Sequence, residues 1–202
     1  MGAIEYVTIE AADTTAAADF YSGAFGLDGR VRVRATETPG RGFRGFTMSL
    51  VVPQPADVNS LIASAFDAGA TVIKPANKSL WGYGSAVQAP EGTIWTVASA
   101  SKKDNGPATG QIEAIVLQLG VADVAASKQF YVDHGLTATK SFGSRYVEFD
   151  TGAIKLTLNK RASLAKTAGV SPDPTASHRL VIGSDAGGFT DPDGFIWEAA
   201  AD

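Results

Sequence analysis

Hydrophobic and polar residues alternate at the start of the chain. Within residues 4–10, Val7 and Ile9 fall on one face of an extended strand, and Tyr6, Thr8 and Glu10 fall on the other. Residues 56–68 instead carry apolar side chains at spacings of three and four, and Gly69 ends that amphipathic segment. These patterns predict two helices in the first part of the chain, at 14–25 and 56–68. They predict strands at 4–10, 30–35 and 46–52 and near 71–74, 84–88 and 93–98.

The second part of the chain repeats this pattern with one omission. It predicts a helix at 123–134, but nothing in it corresponds to the helix at 56–68. In the last strand Ile196 and Glu198 share a face and Trp197 lies opposite, so we expect Trp197 to pack against helices. The predicted strands lie at 112–119 and near 138–142, 145–150, 153–159, 179–183 and 194–199.

Two sequence motifs show that the chain is a tandem repeat. Residues 4–27 and 112–136 each give a strand, an Asp suited to cap a helix, an Ala-rich helix with Phe-Tyr, and a Gly-Leu exit. Each part then ends in Pro-acid-Gly-x-Ile-Trp, as "APEGTIW" and "DPDGFIW". A polar, turn-rich segment separates the two parts. The predicted division is a first half at 1–98, a linker at 99–111 and a second half at 112–202.

Composition restricts the possible functions. The 202 residues are 45% hydrophobic and 19% charged, which is ordinary for a globular protein. The sequence has no cysteine, and this excludes disulfides, thiolate catalysis and zinc–thiolate sites. A net charge of −4 gives no electrostatic reason to expect nucleic acid or an anionic membrane as partner. With no apparent signal peptide or spanning segment, we expect a cytoplasmic protein.

The segments "FYSGAFGL", "FYVDHGL" and "DPDGFIWE" together resemble the glyoxalase / bleomycin-resistance / dioxygenase superfamily, whose fold is called the vicinal oxygen chelate fold. The resemblance covers nearly the whole chain, once per half. It implies an α+β protein of tandem βαβββ modules, in which curled mixed sheets form cups and the helices pack outside. It also implies that a cup often holds a divalent metal.

The resemblance assigns the metal-ligand positions residue by residue. In the second half they fall on Glu198, His178 and Val116, and valine cannot bind a metal. In the first half they fall on Tyr6, a residue within 46–48, and Thr96, none of which is an ordinary ligand, so that cup is expected to be metal-free.

His178 and Glu198 therefore allow several interpretations. They are two-thirds of a His-His-carboxylate set for iron, zinc, manganese or nickel. Gln118 is one candidate for the missing ligand, and Tyr6 or Glu10 are others if the first strands of the halves exchange places. Without metal, the pair suits general acid–base catalysis. The favoured interpretation is structural: Glu198 is a remnant paired with a basic or hydroxyl group, and His178 is a partly buried imidazole.

Other residues are candidates for ligand binding. Trp81 and Tyr83 lie in the glycine-flanked segment "KSLWGYG", which suits a stacking lid or packing between the halves. Phe142 and Tyr146 are their counterparts in the second half. The segment "RVRVR" at 30–34 is either a solvated edge strand or an anion-binding wall.

Two classes of function fit these features best. The first is a protein that binds a small aromatic or oxygenated molecule in a sheet-lined cup, with Tyr6, Trp81, Tyr83, Gln118, Phe142 and Tyr146 as binding residues. The second is a metal-dependent lyase, isomerase or dioxygenase that uses His178 and Glu198. A regulatory scaffold derived from an enzyme is a third. The incomplete ligand set favours binding, and a homodimer is possible.

Overall fold

A computed structural model describes residues 2–27, 29–37, 42–173 and 177–200. Within them the chain forms four helices and thirteen strands, and none of these helices is long and apolar enough to cross a membrane. The helices are α1 (Thr14–Phe25), α2 (Pro55–Asp67), α3 (Val124–Asp133) and α4 (Arg161–Ala168). The strands are β1 (Ile4–Ala11), β2 (Val31–Ala35), β3 (Phe46–Val51), β4 (Thr71–Ser79), β5 (Gly82–Gln88), β6 (Ile94–Ser99), β7 (Ala114–Val121), β8 (Thr137–Ser141), β9 (Tyr146–Asp150), β10 (Ile154–Lys160), β11 (Leu180–Ser184), β12 (Phe189–Thr190) and β13 (Ile196–Ala199).

The elements follow the α+β prediction closely. The first three helices lie where the periodicity places them, and β11 runs into β12 through a short turn with no helix between, as the omission in the second half predicts. Three features differ: β4 extends to Ser79, β12 is an additional two-residue strand, and α4 is an additional helix. The pattern of α4 was missed because it spans only two turns and buries just Leu164, Ala165 and Ala168.

Two of the modules are complete and two are shortened. The series β3-α2-β4-β5-β6 and β7-α3-β8-β9-β10 are full βαβββ units. The series β1-α1-β2 lacks two strands, because β2 takes the place beside β1 that the last strand of a full module occupies. The series β11-β12-β13 lacks the helix.

Each sheet combines strands from both halves of the chain. The large sheet has eight strands in the order β4-β5-β6-β3-β7-β10-β9-β8, and the small sheet has five in the order β12-β13-β11-β1-β2. The large sheet is joined where β3 pairs antiparallel with β7, and the small one where β1 pairs antiparallel with β11. The first strand of each half therefore pairs with a strand of the other half, β1 with β11 and β7 with β3. This is the exchange of places that the sequence left open.

In each half, the helix that carries Phe-Tyr contacts the Pro-acid-Gly hairpin through side chains, which explains why the two motifs occur together. Tyr21 of α1 donates to Glu91 Oε1 at 2.6 Å, and Tyr131 of α3 donates to Asp191 Oδ2 at 2.5 Å. Each tyrosine also packs on the tryptophan that follows its hairpin. The ring centroids are 5.5 Å apart for Tyr21 and Trp95 and 5.3 Å apart for Tyr131 and Trp197. Burial, reinforced by the neighbouring carboxylate, raises the pKa of both phenols. Both tryptophans are buried, so the prediction that Trp197 faces the helices is confirmed.

The carboxylate that meets the tyrosine is not at the same position in the two hairpins. Glu91 follows the hairpin proline, whereas Asp191 precedes it. The second-half counterpart of Glu91 is Asp193, which accepts from Ala122 N–H at 2.7 Å and from the Ser127 hydroxyl at 3.1 Å at the start of α3. The second hairpin therefore uses two acids where the first uses one.

The linker is fixed to the N-terminal turn of α2 by hydrogen bonds. Asp57 Oδ1 accepts from the amide of Thr109 at 2.5 Å, from its hydroxyl at 3.0 Å, and from Gly110 N–H at 2.9 Å. Gln54 adds bonds to Pro107 O and Asn105 N–H. Although burial alone raises the pKa of a carboxyl, these donors prevail and hold the pKa of Asp57 below its usual range.

We expect Asp57→Ala to lower the free energy of unfolding by about 2–3 kcal/mol at pH 7, because the linker amides lose a charged acceptor. A carboxyl with a depressed folded-state pKa stabilises the fold above its unfolded pKa and loses that effect as pH falls through the folded value. The difference between wild type and variant should therefore shrink at acid pH, as measured by urea unfolding.

The exposed Asp67 in the last turn of α2 provides the control. Asp67→Ala should change the free energy of unfolding by less than about 0.5 kcal/mol. Equal effects of the two substitutions at pH 7 would show that Asp57 does not hold the linker.

Candidate functional site

The large sheet presents one face to the helices and leaves the other open. On β7, Ile115, Leu117 and Leu119 are buried in the core, while Val116 and Gln118 point the opposite way. We define the open face by Val116, Gln118 and the residues beside them on the neighbouring strands. They are Thr47, Ser49, Thr96, Val116, Gln118, Glu148, Lys155 and Thr157.

Strand register arranges these residues in two rows across the sheet. One row runs Thr47, Gln118, Thr157 and Glu148 over β3, β7, β10 and β9. The adjacent row runs Thr96, Ser49, Val116 and Lys155 over β6, β3, β7 and β10. The second row contains both Thr96 and Val116, which the resemblance had assigned to different cups.

Hydrogen bonds orient the polar groups of the first row. Gln118 Oε1 accepts from the Thr47 hydroxyl at 2.9 Å, so the amide NH₂ of Gln118 remains available as a donor. Glu148 Oε2 accepts from Tyr146 at 3.2 Å and pairs with Lys140 Nζ at 3.3 Å. Burial, followed by the charge of Glu148, raises the pKa of Tyr146 to about 12. Tyr146 is therefore a neutral hydroxyl at physiological pH.

Two cavities of about 390 Å³ each lie on the open face. They share Ser49 and Gln118, which places these two residues at the centre of the site. One cavity extends over Lys155 and Thr157 to Tyr146, and the other over Thr96 towards Lys74. The first cavity is lined mainly by polar groups, including the carboxylates of Glu113 and Glu148, whereas the second has a mainly hydrocarbon lining with hydroxyl groups and two lysines.

Helix α4 covers one end of the open face. Gly120 of β7 lies directly under it, and a Cβ there would come within 3.0 Å of Arg161 Cα and 2.9 Å of Gly45 O. Only glycine permits this approach of helix to sheet. Sequence reasoning gave no sign of this cover, because neither α4 nor its contact with Gly120 was predicted.

Tyr6 and Glu198 meet on the small sheet. Tyr6 donates to Glu198 Oε1 at 3.2 Å, and its ring lies over Gly183, where a Cβ would come within 2.3 Å of the ring. The Arg32 guanidinium stacks on the other side of the ring, 3.4 Å from its centroid. Arg34 pairs with Glu10 at 2.7 Å and approaches Glu198 at 3.9 Å.

His178 has different partners from Glu198. Its Nδ1 lies 2.6 Å from Arg44 O and its Nε2 lies 2.9 Å from Asp193 O. The ring stacks on Phe195 with centroids 3.8 Å apart. Carbonyl oxygens therefore occupy the positions beside both ring nitrogens where a metal ion bound by His178 would lie.

The residues present do not fit a divalent metal ion. Glu198 has a phenol and a guanidinium as neighbours, and a nearby cation disfavours a second positive charge. His178 is occupied by carbonyl groups, and Val116 lies on the other sheet. Among the described ranges, no group of three or more histidine or carboxylate side chains is arranged to hold a metal.

The other predicted binding residues are spread over the molecule. Gln118 and Tyr146 line the same cavity of the open face. Phe142 packs beside Tyr146 with centroids 5.9 Å apart and is largely exposed. Trp81 is 85% exposed in the turn between β4 and β5. Tyr83 donates to Asn59 of α2 at 2.9 Å, so it packs on the helix side of the sheet.

Comparison with solved structures supports the fold. No family model and no curated protein matches the sequence. The structure is similar to glyoxalase I from Zea mays, with a TM-score of 0.62, 14% identity, and coverage of 98% of this chain and 91% of that one. It is also similar to a putative dioxygenase from Bacillus subtilis, with a TM-score of 0.51, 13% identity, and coverage of 78% and 63%. The predicted vicinal oxygen chelate fold is confirmed.

We expect the purified protein to carry less than one equivalent of tightly held first-row divalent metal, because His178 and Glu198 have other partners. Elemental analysis after dialysis tests this expectation. His178→Ala and Glu198→Ala should leave the metal content unchanged. A stoichiometric metal in the wild type that disappears in both variants would show that the two side chains rearrange into a metal site.

Proposed function

We propose that this protein binds a small oxygenated molecule on the open face of the large sheet without the help of a metal ion. The observation that carries the proposal is the central position of Ser49 and Gln118, which are shared by the two adjoining cavities. A ligand that contacts Gln118 can extend into either cavity, and the amide NH₂ of Gln118 donates to one of its oxygen atoms.

The lining of the first cavity favours hydrogen bonding to oxygen over ring stacking. Among the aromatic residues predicted to bind a ligand, Tyr146 alone lines these two cavities. Thr157 and Ser49 contribute hydroxyl groups, and Tyr146 is a neutral hydroxyl at physiological pH. Such a surface suits a molecule with several oxygens, such as an α-hydroxy or α-keto acid.

Charge on the open face favours an acidic ligand. Lys155 lines the cavity next to Val116 and has no ion-pair partner among the residues described. Lys74 and Lys78 line the second cavity. Together the two cavities are lined by four lysines and by two carboxylates, Glu113 and Glu148, and Lys140 pairs with Glu148 at 3.3 Å. A carboxylate group on the ligand would find a lysine at either end of the site.

A metal-dependent lyase or dioxygenase is the alternative class. It requires three ligands around one ion, and Val116 and Thr96, two of the assigned ligand positions, are not ordinary metal ligands. Binding by this chain's own polar groups needs no such set. The structure therefore favours a binding protein over a metalloenzyme.

We expect a member of a panel of α-hydroxy acids, α-keto acids and catechols to bind saturably in isothermal titration calorimetry with EDTA present. Gln118→Leu keeps the size of the side chain and removes the donor, so it should weaken binding about tenfold, the effect of one hydrogen bond. The matched control is Gln129→Leu on the exposed side of α3, which should leave the dissociation constant unchanged.

Two results would count against this proposal. The first is binding that appears only when a divalent metal is added. The second is a dissociation constant that Gln118→Leu and Gln129→Leu affect equally, since the ligand would then lie away from the open face.

A further inference from the structure

A third cavity, of about 330 Å³, lies on the small sheet at the end of β1 and the start of β11, beside the second hairpin. We call it the junction cavity. It is separate from the open face of the large sheet and shares no lining residue with the two cavities there. Its walls are formed by Glu10, Ser177, His178, Arg179, Leu180, Val181, Asp193, Gly194 and Ile196.

Arg179 is an unusual wall residue because it is a buried cation with no side-chain partner among the described residues. It is only 6% exposed, and its Nε is fully buried without a hydrogen-bond acceptor. Within the described part of the chain, its guanidinium makes no ion pair. Its backbone has a positive φ of 52°, which costs energy in a residue other than glycine. The fold therefore holds Arg179 at the cavity despite the cost of its buried, unpaired Nε and the cost of its positive φ.

The cations around Arg179 are held by neutral oxygens. Arg44 donates to Thr93 Oγ1 at 3.2 Å and to the carbonyl of Glu91. Arg161 donates to Pro172 O at 3.2 Å and to Phe43 O at 3.4 Å. Burial lowers the pKa of Arg44, and the charge of Arg179 adds to that effect while Glu91 opposes it. The charges of Arg44 and Arg179 therefore lie close enough to oppose one another.

The two carboxylates in the cavity wall are engaged by other groups. Glu10 pairs with Arg34 at 2.7 Å. Asp193 accepts from Ala122 N–H at 2.7 Å and from the Ser127 hydroxyl at 3.1 Å. Neither carboxylate forms an ion pair with Arg179. The Arg179 guanidinium therefore has no carboxylate in contact with it among the described residues, although both wall carboxylates contribute negative charge to the cavity.

We propose that the junction cavity binds a small oxyanion, with Arg179 as the residue that contacts it directly. A guanidinium presents several N–H donors in a planar fork that matches the oxygens of a phosphate or carboxylate. An oxyanion there accepts from the guanidinium and offsets the charge of Arg179. The ligand is inorganic phosphate itself or a phosphate or carboxylate group of a small metabolite.

Thermal unfolding at constant ionic strength tests this proposal. We expect inorganic phosphate to raise the melting temperature saturably above the value in chloride, because an anion that binds only the folded state stabilises it. Arg179→Asn should abolish this rise, and asparagine tolerates the positive φ at this position. Without phosphate, the variant should melt no lower than wild type, because it removes an uncompensated buried charge.

Arg145→Asn is the matched control, since Arg145 is exposed in the turn between β8 and β9. It should keep the full response to phosphate. Arg179→Lys keeps the charge and loses the fork, so it should give a smaller rise than wild type. Gln118→Leu should also keep the response, which separates this site from the one on the open face.

Comparing the effects of different anions identifies the chemical group of the ligand. Glycerol phosphate that raises the melting temperature at lower concentration than inorganic phosphate indicates a phosphorylated metabolite, whereas a stronger effect of acetate indicates a carboxylate. The proposal is overturned if phosphate gives no saturable rise in the wild type. It is also overturned if Arg179→Asn melts well below wild type in chloride and keeps the response to phosphate, because Arg179 would then have a purely structural role.

Discussion

The antiparallel pairing of β3 with β7 is the contact on which the rest of the molecule depends. It joins a complete module of the first half to a complete module of the second, and so makes one sheet of eight strands. Its register also sets the two rows of the open face, because it places Thr47 opposite Gln118 and Ser49 opposite Val116. A shift of one residue would turn Gln118 into the core and Leu117 outward.

The fold also separates the positions that the resemblance assigned to the second-half ligand set. Glu198 lies on the small sheet with Tyr6, whereas Val116 lies on the large one. His178 stands before β11, where both of its nitrogens are occupied. Hydroxyl and amide groups remain on the large sheet and arginines on the small one, which suits recognition of oxygen atoms and negative charge.

Local patterns predicted most of the elements, because alternation, helix caps and turn glycines depend on neighbours in the sequence. Asp13 and Asp123 cap α1 and α3, as their positions indicated. The partner of each strand was not predictable, since two similar repeats offer equivalent strands for pairing. Nor did the sequence reveal that Arg179 lacks a partner or that α4 covers Gly120, because both depend on segments far apart in the chain. Gln118 and Tyr146 were candidates on chemistry alone, and only the fold brings them to one cavity.

The shifted carboxylate beneath the buried tyrosines has a consequence for the history of the duplication. Tyr21 meets the acid after the hairpin proline, and Tyr131 meets the acid before it. A hairpin transplanted from the first half to the second would present Ala89 where Tyr131 requires Asp191. The two hairpins are therefore not interchangeable beneath their tyrosines, because each tyrosine meets its acid at a different position of the hairpin.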